Sequence, residues 1–104
     1  MTITLYHAQN GAWERTVLPD AWARWNRGAD HSGGYSRTDQ GESLLLIPWR
    51  EGLAIAPGDG VLDGEGPEIG PGPLKAADPE IRQVTEAALY RPGSLLDHWE
   101  VKAR

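Results

Sequence analysis

The chain has no cysteine, no phenylalanine and one methionine. Without cysteine it has no disulfide framework, no thiolate metal site and no cysteine nucleophile. Long hydrophobic runs are missing too. The longest, Leu44-Leu45-Leu46-Ile47-Pro48-Trp49, is far short of the roughly 20 residues of a membrane helix. The opening Met1 to Tyr6 carries no Lys or Arg and no long apolar stretch, so it does not read as a signal peptide. Positive charge is absent from residues 51–73. The expectation is a soluble, intracellular single domain, since 104 residues suffice for one core and not for two of ordinary size.

What the chain has in quantity is turn formers and tryptophan: 13 Gly, 8 Pro and five Trp. The net charge of −5 lies entirely beyond residue 50, because five Arg and five acids cancel in residues 1–50 while ten acids face five bases in residues 51–104. That balance gives no clustered basic face of the kind a generic nucleic-acid footprint needs.

Residues 2–7 alternate Thr-Ile-Thr-Leu-Tyr-His, a period of two that predicts a strand. Asn10-Gly11 signals a tight turn, and Ala12 to Leu18 predicts the second arm of a hairpin, with Trp13, Arg15 and Val17 on one side. Residues 21–27 fit a capped helical turn pairing Trp22 with Trp25, or a strand setting Trp22 and Arg24 against Ala23 and Trp25; the hairpin rhythm favours the strand. Residues 28–41 predict a long polar loop. Glu42 to Trp49 is the best strand, and its continuous apolar run suggests burial on both faces.

Residues 51–73 hold seven Gly, four Pro and five acids, too many breakers for a helix. Leu53-Ala54-Ile55 and Val61-Leu62 read as short strands, with an irregular stretch over 64–73, the whole forming an acidic, pliable arm. Leu74 to Glu80 accommodates one helical turn. Residues 81–90 fit helix by propensity and strand by surroundings. Leu95 to Lys102 predicts a closing strand. The fold class is therefore mainly β: a small single-domain barrel or sandwich over 1–104, with long loops and at most one short helix.

Tests for chemistry give no catalytic, cofactor-binding or metal residue. His7, His31 and His98 are far apart in sequence and show no metal-ligand spacing; His7 and His98 read as two partly buried histidines on terminal strands placed to pair. The run Asp59 to Glu65 imitates a calcium loop, but Val61 and Gly70 stand where oxygen ligands are required. Phosphate-loop, dinucleotide and nucleophile-elbow patterns are missing. The chain reads as no enzyme. Trp13, Trp22 and Trp25 interleave with Arg15, Arg24 and Arg27. The bland reading makes Trp the large core residue in place of Phe. The functional one makes Trp13, Trp22, Trp25, Arg24, Arg27 and Trp99 a contact surface for protein, or a stacking platform of a small ligand-binding β-module.

Five segments run in order over residues 2–102: Ile3-Thr4-Leu5-Tyr6-His7, Trp13-Glu14-Arg15-Thr16-Val17-Leu18, a strand ending Ile47-Pro48, a Gly58-Asp59 step with Val61 and Gly64, and Ser94-Leu95-Leu96-Asp97-His98-Trp99-Glu100-Val101. Together they resemble the short minor structural proteins of tailed bacteriophages and prophages, with residues 21–41 departing most. The resemblance implies a small β-barrel of head-closure or stopper type at the head–tail junction. Such a protein forms a homo-oligomeric ring between portal or adaptor and tail, in a virion assembled in the bacterial cytoplasm, without membrane or cofactor. A tail terminator or another minor virion protein is the neighbouring alternative. In a ring, an acidic loop of Asp59, Asp63, Glu65 and Glu68 facing the lumen would repel DNA phosphates and ease their passage.

Overall fold

The computed structural model describes residues 1–26, 42–93 and 97–104; the polar loop expected at 28–41 lies outside them. Asn10 and Gly11 both take positive φ, 53° and 78°, the primed turn that matches strand twist. They join β1 (Ile3–Gln9) to β2 (Ala12–Leu18) in the expected hairpin, in register from Ile3↔Leu18 to Gln9↔Ala12. Then follow β3 (Trp22–Arg24), β4 (Ser43–Pro48), β5 (Gly60–Asp63), the single turn α1 (Leu74–Ala77), β6 (Arg82–Tyr90) and β7 (His98–Ala103). The seven strands form one antiparallel sheet in the order β2-β1-β5-β6-β7-β4-β3. It is mainly β, as expected, and is a folded-over sheet rather than a closed barrel.

β6 makes the fold-over. Its Arg82 and Gln83 pair with β5, and from Val84 onward it pairs with β7. A bulge between Val84 and Glu86 bends the strand and adds twist, as an extra unpaired residue does. The inner faces of the two halves then meet. Ile3, Leu5, Leu18 and Val61 from one half close on Leu45, Ile47, Val101 and Ala103 from the other. The chain ends this seam at Met1 and Ala21, which exchange two hydrogen bonds (Met1 amino group to Ala21 O, 2.7 Å; Ala21 N to Met1 O, 3.1 Å).

Within 21–27 the strand reading holds at β3, Trp22–Arg24, with residue 27 outside the described residues, and within 81–90 the strand reading holds at β6, Arg82–Tyr90. Two expectations are corrected. Leu53-Ala54-Ile55 is not a strand; Ile55 still enters the core, held in a turn-rich segment. β4 is not buried on both faces: Ser43, Leu45 and Ile47 are buried, whereas Leu44 and Leu46 are half-buried and Pro48 is exposed.

A second, smaller core lies on the other face of the first half-sheet, where Tyr6, Leu62, Leu74 and Ile81 cluster with Trp13 and Ile69 against them. It requires Gly60. A Cβ there would sit 2.8 Å from both Ile81 Cγ2 and Leu74 Cδ1. Gly60→Ala is therefore expected to cost about 1–3 kcal/mol by overpacking, read from the midpoint of denaturant unfolding. Gly70→Ala, with open space around its Cβ position, should leave the midpoint in place.

Candidate functional site

Alternation along each strand decides where the sequence-predicted residues go. β3 turns Trp22 and Arg24 outward, while Ala23 and the following Trp25 pack on the main core. Trp99, in register with Ile47 and Leu89, also packs inward. Trp13 lies on the opposite side of the fold, against the second core, and its indole N–H donates to Gly72 O at 2.9 Å. The six-residue contact surface is thus not formed as one patch. Trp22 and Arg24 share an outer face, Trp13, Trp25 and Trp99 serve packing, and Arg27 lies outside the described residues. Trp25 and Trp99 bury indole N–H groups that find no acceptor among the described residues. Arg82 stands 5.7 Å over the Trp25 ring, within cation–π range, and both line a cleft of ≈ 340 Å³ with Leu62, Asp63, Asp78 and Glu80.

The acidic arm is corrected as well. Residues 64–73 are tied across β1 and β2 as a strap. Gly/Pro-rich backbone cannot join a ladder easily, so its polar groups are met by strand side chains. Thr4 Oγ1 donates to Gly64 O (2.8 Å) and accepts from Gly66 N (2.8 Å); Tyr6 Oη donates to Pro67 O (2.7 Å); Arg15 Nε donates to Gly66 O (2.5 Å). Glu65 faces the Arg15 guanidinium at 3.5 Å and is 70% exposed. Glu68 is exposed, and Asp63 sits at the end of β5 opposite Ile3. Asp59 does not belong with them.

Asp59 is 2% exposed. Its carboxylate accepts from His7 Nδ1 (2.6 Å), Ala8 N (3.2 Å) and Ala56 N (2.9 Å). A buried carboxylate needs such donors, since its desolvation cost is otherwise several kcal/mol. The main chain beside it bonds β6: Val84 N donates to Asp59 O at 2.7 Å, and Gly58 N to Val84 O at 2.8 Å. His7 therefore does not pair with His98. Two strands, β5 and β6, separate β1 from β7, and His98 stacks on Tyr90 with ring centroids 5.4 Å apart. The sequence reading missed this pair because His7 and Asp59 are 52 residues apart. The available signal was an acid at the Pro57-Gly58-Asp59-Gly60 turn, where Asp often bonds neighbouring backbone.

Burial raises the Tyr6 phenol above its ordinary 10.0, with Arg15 opposing and Asp78 adding to the shift. No protein-family model, curated protein or solved structure matches the chain.

Two outcomes follow from these contacts. Asp59→Ala strands three donors and should cost about 3 kcal/mol. His7→Ala should cost less, and a double-mutant cycle should show coupling of about 1–3 kcal/mol between the pair; additive losses would dismiss the contact. The raised Tyr6 phenol leaves stability intact below pH 10 and erodes it as pH climbs from 10 towards the folded-state pKa. Tyr6→Phe should flatten that alkaline limb in a pH series of unfolding midpoints, while losing about 1 kcal/mol at neutral pH with the Pro67 bond.

Proposed function

We propose that the chain is a non-enzymatic virion structural protein of a tailed bacteriophage or prophage: a head–tail connector, or neck, subunit of the head-closure or stopper type. It assembles as a ring between portal or adaptor and tail. The support is that the segments carrying the resemblance meet in space as framework. His7 of the opening segment holds Asp59 of the Gly58-Asp59 step at 2.6 Å. Trp99 of the closing segment lies in register with Ile47 of the Ile47-Pro48 strand end.

A ring is heterologous, so each subunit presents two different faces. The strap face carries Glu65 and Glu68 outward and suits a lumen through which DNA passes without being held; buried Asp59 takes no part in that. A Trp/Arg ligand platform gains no support, since the tryptophans disperse over three environments.

Electron micrographs of the chain co-expressed with the portal and adaptor proteins encoded beside it test the reading. Rings with a central hole, stacked on the portal, are expected. Neighbouring genes without portal, terminase or tail functions, or a chain that never enters such an assembly, would overturn it.

A further inference from the structure

Three steps in the chain set a glycine directly after Asn or Asp: Asn10-Gly11, Asp59-Gly60 and Asp63-Gly64. Such a step carries an intrinsic chemistry. The glycine nitrogen attacks the side-chain carbonyl carbon of the residue before it and closes a five-membered imide, and a residue without Cβ hinders that approach least. Ammonia leaves from Asn, water from Asp. Water then opens the ring at either carbonyl, giving aspartate or isoaspartate. The reaction needs a glycine N–H and a side chain that are both free to move.

The fold separates the three steps. Asp59 is 2% exposed, with Oδ1 held by Ala8 N and Oδ2 by His7 Nδ1 and Ala56 N. Gly60 is buried in β5 against Ile81 and Leu74, so no ring closes there unless β5 lifts away. Asp63 is exposed, but its attacking nitrogen is tied: Gly64 N donates to Thr2 O at 2.9 Å, and Gly64 O accepts from Thr4 Oγ1 at 2.8 Å. At Asn10-Gly11 both residues are exposed. Gly11 N has no hydrogen bond among the described residues, and nothing lies within 4 Å of where a Gly11 Cβ would stand. The turn is the tip of the β1-β2 hairpin, which flexes without opening either core.

We propose that Asn10 is a site of self-modification. The Gly11 nitrogen bonds to Asn10 Cγ, the amide C–N bond breaks with loss of ammonia, and water opens the imide to aspartate or isoaspartate. Both products add one negative charge. Aspartate keeps the turn, because Asp-Gly suits the same primed geometry. Isoaspartate does not, since the main chain then runs through the former side chain and gains one atom within a two-residue turn. The closing pair Gln9↔Ala12 is lost first. The next pair is Ala8↔Trp13, and Trp13 holds Gly72 of the strap through its indole N–H. Isoaspartate at the tip therefore frees the far end of the strap. The reaction belongs to the chain by itself and stands apart from the neck reading.

Incubation of the folded chain at mildly alkaline pH, beside a sample in denaturant, tests the site. Cleavage after Lys and Arg isolates Asn10 in residues 1–15 and both Asp-Gly steps in residues 51–75. Mass spectrometry reads the change from amide to acid, and isoaspartyl O-methyltransferase labels isoaspartate. Folded Asn10 should convert within about ten-fold of its denatured rate, whereas isoaspartate in 51–75 should form about a hundred-fold or more slowly than in denaturant, as a region that opens only with the fold requires. Asn10→Gly keeps a turn of the same type and should abolish the change in 1–15. The purified isoaspartate form should unfold at lower denaturant than Asn10→Asp and show a shifted Trp13 indole N–H resonance. Folded Asn10 as protected as Asp59 and Asp63, isoaspartate in 51–75 at its denatured rate, or an isoaspartate form as stable as Asn10→Asp would each overturn the proposal.

Discussion

The fold depends on one buried carboxylate. Asp59 sits at the turn before β5, and its side chain reaches β1 through His7 and Ala8 while its backbone bonds Val84 of β6. It thus fixes both neighbours of β5 at once, at the point where the sheet begins to fold over. A strand of four residues has few ladder bonds of its own. Without that anchor, the register of β5 would rest on its four ladder pairs with β1 and two with β6. The carboxylate is also exacting. Burying it is tolerable because three N–H groups converge on it, Ala8 on Oδ1 and His7 and Ala56 on Oδ2, and removing the whole group leaves all three unsatisfied.

The strap extends the same logic. Seven Gly and four Pro in residues 51–73 cost conformational entropy on ordering and supply little side-chain surface in return. What orders them is chemistry from β1 and β2: Thr4, Tyr6, Trp13 and Arg15 each reach a strap carbonyl. Because strand side chains alternate, these four occupy the outer positions of the hairpin while Ile3, Leu5 and Leu18 occupy the inner ones. The hairpin therefore serves two cores, one per face. The close approach this demands is visible at Gly66, where a Cβ would lie 2.5 Å from both the Tyr6 hydroxyl and Leu62 Cδ2.

Local signals read true where the physics was local. The Asn10-Gly11 turn, the alternation in β1 and the inward-outward split of Trp22 and Arg24 from Ala23 and Trp25 are all legible from neighbours in sequence. The ambiguity at 81–90 has its source in helix propensity over Glu86-Ala87-Ala88-Leu89, which pairing with β7 overrides. Val84 and Ala87 both face the main core because the extra residue at the bulge shifts the alternation. The strap and the Asp59 anchor were illegible for a different reason. Their partners lie 51 to 62 residues away, and composition alone reads any acidic, Gly/Pro-rich window as solvated.

Tryptophan without phenylalanine has consequences for both cores and surface. A Trp needs more room than a Phe and brings an N–H that wants an acceptor. Trp13 finds one at Gly72, but Trp25 and Trp99 do not among the described residues. Trp49 lies half-exposed under Arg91, whose guanidinium carbon is 4.0 Å from its ring centroid. Among the described residues Trp22 has neither arrangement. It stands on the outer face in register with half-buried Leu46 and is 49% exposed, so the alternation of β3, which sends Ala23 inward, sets its position.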